Sequence, residues 1–455
     1  MILVLVGVQR PTLGNEEPPL NPNLAPNTDV QGFSHKYGST FDSFHYNVSA
    51  QDPNGPVVPG LGHTNVTKPT FASECCSCTS TRGDQNGQVD CMAGSTNASN
   101  GRSYMSGTMV WTLSDYYGEA RQGWPGVSSN YGSFDLAGFE KGAAWWYRSW
   151  WRDAVPVDAE DRPRPLPGVE QAPACRVWGD RWDQYSAGGN HAHVEVVTAQ
   201  AAAELFIDGV SQGVKAPQSP AASSKGPATT VSWSVNGGSG GGSGSFKPGA
   251  NLTVVCRDDS NHVVGSHTIF GAATDSAAAA VSLRLSIDVP SLATGTGEAL
   301  VLDGHDVGLL RAEVVDSDGR IITTNTTHNV TFVVTSGPGR VKASHNGDPN
   351  CHTPNLASWH QSYYGLVRAI VQVTADATSA AGADGLLAHI DVEGGQRTRL
   401  LQQFLDGGGG GNGAAEGIVV TASSPGLASA TVSIPVSTDF VQHGVLQVAA
   451  QSGSA

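Results

Sequence analysis

Between Gly107 and Trp151 the chain reads GTMVWTLSDYYGEARQGWPGVSSNYGSFDLAGFEKGAAWWYRSWW. The run opens on a short apolar segment, Thr108–Ser114, that passes into polar residues, the pattern of a strand feeding a loop. Ala143–Trp151 follows as a candidate helix with one aromatic face. Six of the ten Trp residues lie between Trp111 and Trp151, so this stretch carries much of the aromatic surface of the chain. Trp111, Asp115, Tyr116 and Glu119 can form a binding floor in which the indole stacks on an apolar ligand face and the acids fix hydroxyl groups. On the residues alone a second account stands beside it, ordinary core aromatics with a polar tip.

Working outward toward the amino terminus, Met1–Gly7, Thr28–His35 and Lys68–Glu74 repeat the pattern of an apolar segment ending in polar residues. Strands feeding loops in series are what an α/β barrel requires, and its functional residues collect at the carboxyl ends of its strands. Asn15-Glu16 follows the first of these segments and Glu74 closes the third. Two carboxylates facing one sugar ring are the equipment of glycoside hydrolysis, one as proton donor and the other as nucleophile or base. Isolated Glu residues at loop starts are also ordinary solvated surface groups, and spacing does not choose between the two.

Toward the carboxyl terminus, Arg162–Pro173 is proline-rich and reads as a linker. Alternation then sets in at His193–Val197 and Glu204–Ile207, with the turn signal Asp208-Gly209, and continues at Thr229–Val235 and Asn251–Val255. A Gly/Ser tract, Gly237–Ser245, interrupts this region. Leu309–Val315, Val330–Val334, Leu366–Val373, Gly417–Ala422 and Ala428–Ile434 are strand candidates of a last region, whose residues 375–415 form an Ala/Gly-rich insertion. Strands at this spacing favour immunoglobulin-like sandwiches.

The 455 residues suffice for two to four cores. A net charge of -15 argues against a nucleic-acid partner, and no apolar run reaches the roughly 18 residues that span a bilayer. Six N-glycosylation triplets, at Asn47, Asn65, Asn97, Asn251, Asn325 and Asn329, favour a secreted or lysosome-like compartment, although no signal peptide is visible. Seven cysteines leave at least one unpaired within a monomer. Cys75, Cys76 and Cys78 lack the second pair of a metal knuckle; a disulfide to Cys91 or plain buried thiols is the simpler expectation. No metal site and no cofactor are expected.

The run Trp-Thr-x-x-Asp-Tyr-x-Gly-Glu from Trp111 to Glu119, then Trp124-Pro125, then Gly132-x-x-Asp135-x-x-Gly138-Phe139-x-Lys141, strongly resembles the end of the catalytic barrel in family 2 glycoside hydrolases. This group contains β-galactosidases, β-glucuronidases and β-mannosidases. The resemblance implies that Glu16 is the acid/base on barrel strand four, with Asn15 bonding the sugar 2-hydroxyl, and that Glu74 is the strand-seven nucleophile. It implies that His35 or Tyr37 orients Glu74, and that Trp111, Asp115 and Glu119 line the sugar site. Ser80-Thr81-Arg82-Gly83 resembles the β-galactosidase-like branch, which carries extra carboxyl-terminal domains. Glu204–Gly209, Asp306, Ala312–Arg320 and Asn346–Pro349 resemble those domains.

The expected architecture is therefore multidomain: a partial (β/α)8 TIM barrel over 1–160, a proline-rich linker over 161–184, and immunoglobulin-like β-sandwiches over 185–278 and 285–445. The expected activity is that of a retaining β-glycosidase acting on terminal β-galactosides. Only 58 positions separate Glu16 from Glu74 where three strand–helix units belong, so a shortened barrel is expected. A complementing polypeptide or a homo-oligomer is then an expected partner, and a non-catalytic carbohydrate-binding or scaffolding protein is the competing function.

Overall fold

The computed structural model describes residues 31–34, 57–58, 62–63, 70–75, 78–83, 85, 91–92, 105–120, 123–154, 173–178, 191–217, 229–236, 250–271, 279–324, 327–374 and 417–437. Met1–Gly7, the Gly/Ser tract and the 375–415 insertion lie outside them.

The first described sheet is parallel. Strands β1 (Gln31–Ser34), β4 (Thr70–Cys75) and β5 (Met105–Val110) are ordered β1-β4-β5, and a two-residue pair, β2 (Val57–Val58) with β3 (Gly62–His63), stands apart. Gln31 pairs with Thr70, and Cys75 with Val110. β1 falls inside its expected segment and β4 overruns its own at Cys75, whereas β5, Met105–Val110, lies earlier than the expected Thr108–Ser114 and overlaps it only at its end. After β5 the chain winds without regular structure to helix α1 (Gly142–Arg148), which continues as π-helix through Ala154. The first helical N–H, that of Gly142, has no partner within the helix; Gln85 Oε1 accepts it at 2.5 Å. Trp146 and Tyr147 fill the buried face.

Two antiparallel sheets follow. One is ordered β10-β7-β6, from β6 (Cys175–Val177), β7 (His191–Thr198) and β10 (Thr230–Asn236). The other is ordered β12-β11-β8-β9, from β8 (Ala202–Ile207), β9 (Val210–Lys215), β11 (Leu252–Arg257) and β12 (Val263–Ile269). Every second residue of β8 and β11 is buried, so Leu205, Ile207, Leu252 and Val254 meet Val194, Val196 and Trp233 in one core. Asp208 and Gly209, both at positive φ, make the tight β8–β9 turn, as their sequence signals. The stretch 161–184, expected as linker, contains β6, which pairs with β7. A disulfide from Cys175 on β6 to Cys256 on β11 joins the two sheets. Three residues between Pro173 and Trp178 are too few to show alternation, which is why the strand escaped the sequence.

The last region repeats the plan. One sheet is ordered β13-β15-β19-β17, from β13 (Ser282–Val289), β15 (Val307–Val315), β17 (Gly339–His345) and β19 (Leu366–Val373). The facing sheet is ordered β18-β16-β20-β21, from β16 (Asn329–Ser336), β18 (Trp359–Gln361), β20 (Ile418–Ser423) and β21 (Ala430–Ile434). β14 (Leu300–Val301) and β22 (Val436–Ser437) close one edge in parallel. Leu310, Ala312, Val367, Val371, Phe332 and Val420 lie in the shared core.

Candidate functional site

β4 and β5 run parallel, so their carboxyl ends lie at one edge of the sheet. Glu74 is the penultimate residue of β4, in register with Ser34 of β1, and Trp111 is the first residue beyond β5. The strand geometry thus brings the expected nucleophile position and the expected binding floor to the same edge. Asn15, Glu16, His35 and Tyr37 lie outside the described residues, as does the placement of the Glu74 carboxylate.

The loop after β5 leaves through a cis Trp111–Thr112 peptide. The Trp111 indole N–H donates to the Tyr116 hydroxyl at 3.0 Å, and the two rings meet edge to face. Tyr116 in turn donates to the exposed Glu119 carboxylate. Burial, reinforced by the bond to Glu119, pushes the phenol up to about 12, so it keeps its proton and the relay keeps its direction. Because the indole N–H is engaged, what Trp111 offers a ligand is its ring face.

Asp115 points the other way. It is buried, and its Oδ1 accepts from Gly132 N at 2.7 Å and from Lys141 Nζ at 2.9 Å. The Lys141 ammonium, itself fully buried, also reaches Asp115 Oδ2 at 3.1 Å and the Ser80 carbonyl at 2.9 Å. Burial raises the Asp115 carboxyl to about 6 despite Lys141, and burial likewise lowers Lys141. A Cβ on Gly132 would stand 2.2 Å from Asp115 N, so no other residue lets the backbone approach this closely. Asp115, expected to face the sugar, instead braces the loop from inside, and its carboxylate is committed to Lys141 and Gly132.

The remaining signature residues lock the loop to the last sandwich. Asp135 Oδ1 accepts from the N–H groups of Ala137 and Phe139, while its Oδ2 takes Arg82 Nε at 2.5 Å. Arg82 also donates to the Asn346 carbonyl. The buried Phe139 ring lies against the guanidinium groups of Arg82, Arg311 and Arg368, and Arg368 bonds the Ala137 carbonyl at 3.0 Å and Asp288 at 2.5 Å. Val127 N adds a bond to the Pro349 carbonyl at 2.9 Å.

Two further features complete this region, the first of them the disulfide to Cys91 that was the simpler expectation and the second not foreseen. Cys78 is joined to Cys91, which rules it out as the knuckle ligand considered from the sequence. At the junction with the last sandwich, His345, Cys351 and His360 bring one donor atom each within 4.8 Å of one another, beside a cavity of about 410 Å³ lined by Tyr117, Val127, Cys351, His352 and Asn355. Burial holds His345 down to about 4 and lowers His360, so both rings are neutral near pH 7. These residues have no motif spacing, and the sequence carries no signal that would join them.

Residues 293–386 match the family model described as glycoside hydrolase family 2 C-terminal domain 5. A β-galactosidase from Bacteroides ovatus, BoGH2A, is 28% identical over 270 residues, covering 59% of this chain and 26% of that protein. A family 2 glycosyl hydrolase from Bacteroides cellulosilyticus superposes with a TM-score of 0.53 and 19% identity, over 91% of this chain and 43% of that one. A β-glycosidase from Bacteroides vulgatus gives a TM-score of 0.55 and 16% identity, over 90% and 45%. The chain thus spans about a quarter of the curated relative and less than half of these solved ones. Family 2 glycoside hydrolases are thus the group this chain resembles, through a carboxyl-terminal portion rich in β-sandwich.

Proposed function

From these likenesses we propose that the chain is a member of glycoside hydrolase family 2 and contributes the later strands of a (β/α)8 catalytic barrel and two sandwich domains to a retaining β-galactosidase. The layout is barrel strands within 1–160, a linker that ends before β6, a first sandwich to about 278 and a second over 285–445. The observation that carries the reading is the parallel β4–β5 pair, which delivers Glu74 and Trp111 to one carboxyl edge. That edge is where barrel enzymes keep their chemistry.

In this mechanism Glu16 gives its proton to the glycosidic oxygen while the Glu74 carboxylate attacks the anomeric carbon, forming a glycosyl ester and releasing the aglycone. Glu16, now ionised, takes a proton from water; the water oxygen attacks the same carbon and frees Glu74. Retention requires the two carboxyl groups about 5 to 5.5 Å apart. Asn15 bonds the 2-hydroxyl, and His35 or Tyr37 orients Glu74. Trp111 packs its ring face on the sugar, Glu119 holds a hydroxyl through the Tyr116 relay, and Asp115 contributes by fixing the loop that presents them. The β-galactosidase assignment of the Bacteroides ovatus relative favours a β-galactoside over a β-glucuronide as substrate.

Covalent trapping tests this without depending on fast turnover. The full chain, incubated with a 2-deoxy-2-fluoro-β-galactosyl inactivator, should carry one sugar on the peptide containing Glu74, and Glu74→Gln should carry none. A label on another carboxylate, or no label together with no hydrolysis of a nitrophenyl β-galactoside, refutes the proposal.

A further inference from the structure

We propose that His345, Cys351 and His360 bind one zinc-class cation where the loop after β5 meets the last sandwich. His345 ends β17 and His360 is central in β18, so the two rings come from the edges of opposite sheets and stand 5.3 Å apart between centroids. Cys351, which is in no disulfide, lies on the connection between them. That connection is fixed by bonds from Cys351 N to the Asp348 carbonyl and from Asn350 N to Asp348 Oδ1.

His360 supplies the decisive observation. It is fully buried, and Ser344 Oγ stands 2.7 Å from its Nδ1. Ser344 gives its own hydroxyl proton to the Ala357 carbonyl at 2.7 Å, so it must accept from His360 Nδ1–H. That arrangement places the proton on Nδ1 and leaves the buried Nε2 without a hydrogen bond of good geometry, although the backbone of Thr353 and Trp359 lies close to the ring. A histidine that donates one ring N–H to a protein oxygen and turns the other nitrogen to an empty position is prepared as a metal ligand.

The donor set selects the ion. One thiolate and two imidazoles suit tetrahedral zinc or copper(I), whereas magnesium and calcium require oxygen ligands. Tetrahedral zinc holds its ligand atoms roughly 3.4 to 3.8 Å apart, so binding requires the cluster to contract by about 1 Å. On binding, the Cys351 thiol proton leaves to solvent and a sulfur–metal bond forms. His345 now accepts Gly347 N–H at Nδ1 and faces the Tyr117 hydroxyl through Nε2 at 3.2 Å; coordination replaces one of these contacts. Cys351 lines the cleft beside Tyr117, so water or a small ligand can approach the site from the sulfur side to complete the sphere.

Cobalt(II) is the probe, because its spectrum reports both sulfur and tetrahedral geometry. The full chain, stripped with chelator, should bind one cobalt ion with a thiolate-to-metal charge-transfer band and intense visible bands, all displaced by zinc. Cys351→Ser should remove the charge-transfer band and weaken binding by about 100-fold or more, while His262→Ala, an exposed histidine of the first sandwich, should change neither. His360→Gln should behave like Cys351→Ser; should it fail to fold, zinc protection of Cys351 against alkylation, read from its peptide mass, takes its place. Absence of the sulfur band from the folded wild-type chain overturns the proposal, as does a band that survives in Cys351→Ser.

Discussion

Replacing Lys141 with Met should loosen the loop after β5 while leaving both sandwiches intact. Lys141 is fully buried and its ammonium meets both oxygens of Asp115 as well as the Ser80 carbonyl. Met matches the stem but not the charge, so the Asp115 carboxylate loses its counter-ion inside the protein. Removing one partner of a buried pair costs about 3 to 5 kcal/mol, or roughly two to three and a half decades in a local opening constant.

The loss should also depend on pH, with a definite sign. Burial already raises Asp115 to about 6 against the opposing pull of Lys141, and removing Lys141 raises it further. A carboxyl whose folded value lies above its unfolded value of about 3.9 stabilises most when protonated, and loses that contribution as pH climbs through the folded value. The gap between variant and wild type should therefore narrow from about pH 7.5 to about pH 5.5, by at most ~1.4 kcal/mol per unit. Amide exchange read by mass spectrometry on peptides spanning 112–134 measures this, with peptides from β11 and β19 as internal references. Adding Asp115→Leu to Lys141→Met should restore most of the protection, since an apolar pair of similar volume has no charge to desolvate. Unchanged protection over 112–134 in the single variant, or a loss of equal size at both pH values, would refute the account of a buried, load-sharing ion pair.

Two other perturbations address the sandwiches. Cys175→Ser should destabilise the first by about 4.5 kcal/mol on chain entropy alone for a bridge spanning 81 positions, seen as a lower denaturant midpoint that reduction reproduces in the wild type; an unchanged midpoint sinks the idea. Phe139→Ala should cost about 3 to 5 kcal/mol and leave three guanidinium groups around a hole, so calorimetry should show the transition of the last sandwich lowered, and a coincident trace would contradict this.

What could be read from the sequence follows from how each strand is buried. Leu366–Val373 was legible to the residue because it lies in the middle of its sheet and is largely apolar along its length. β9, Val210–Lys215, was not, because it is an edge strand with almost no buried face, and solvent imposes no alternation on VSQGVK. The chemistry divided in the same way. A contiguous signature such as Trp111–Glu119 survives in the sequence, whereas His345, Cys351 and His360 are assembled by the facing of two sheets, which no local pattern encodes. Asp115 was legible as a signature residue but not as an inward-facing one, since the partner that turns it inward, Lys141, lies 26 positions away.

The signature stretch therefore acts less as a list of sugar contacts than as a set of buried charges joining the loop to the last sandwich. From the loop, Asp115 is held by Lys141; from its continuation, Asp135 is held by Arg82, which also bonds Asn346. Phe139 then sits among Arg82, Arg311 and Arg368, and both Arg311 and Arg368 pair with Asp288 on β13. Arg82 and Arg368 have partners on both sides of the junction, Asp135 with the Asn346 carbonyl for the one and the Ala137 carbonyl with Asp288 for the other, so a shift of the sandwich must either carry the loop with it or leave a charge buried without a partner. Because the second outcome costs several kcal/mol per group, the position of the loop that carries Trp111 is tied to the last sandwich. A sandwich domain can in this way help set the geometry at the strand ends.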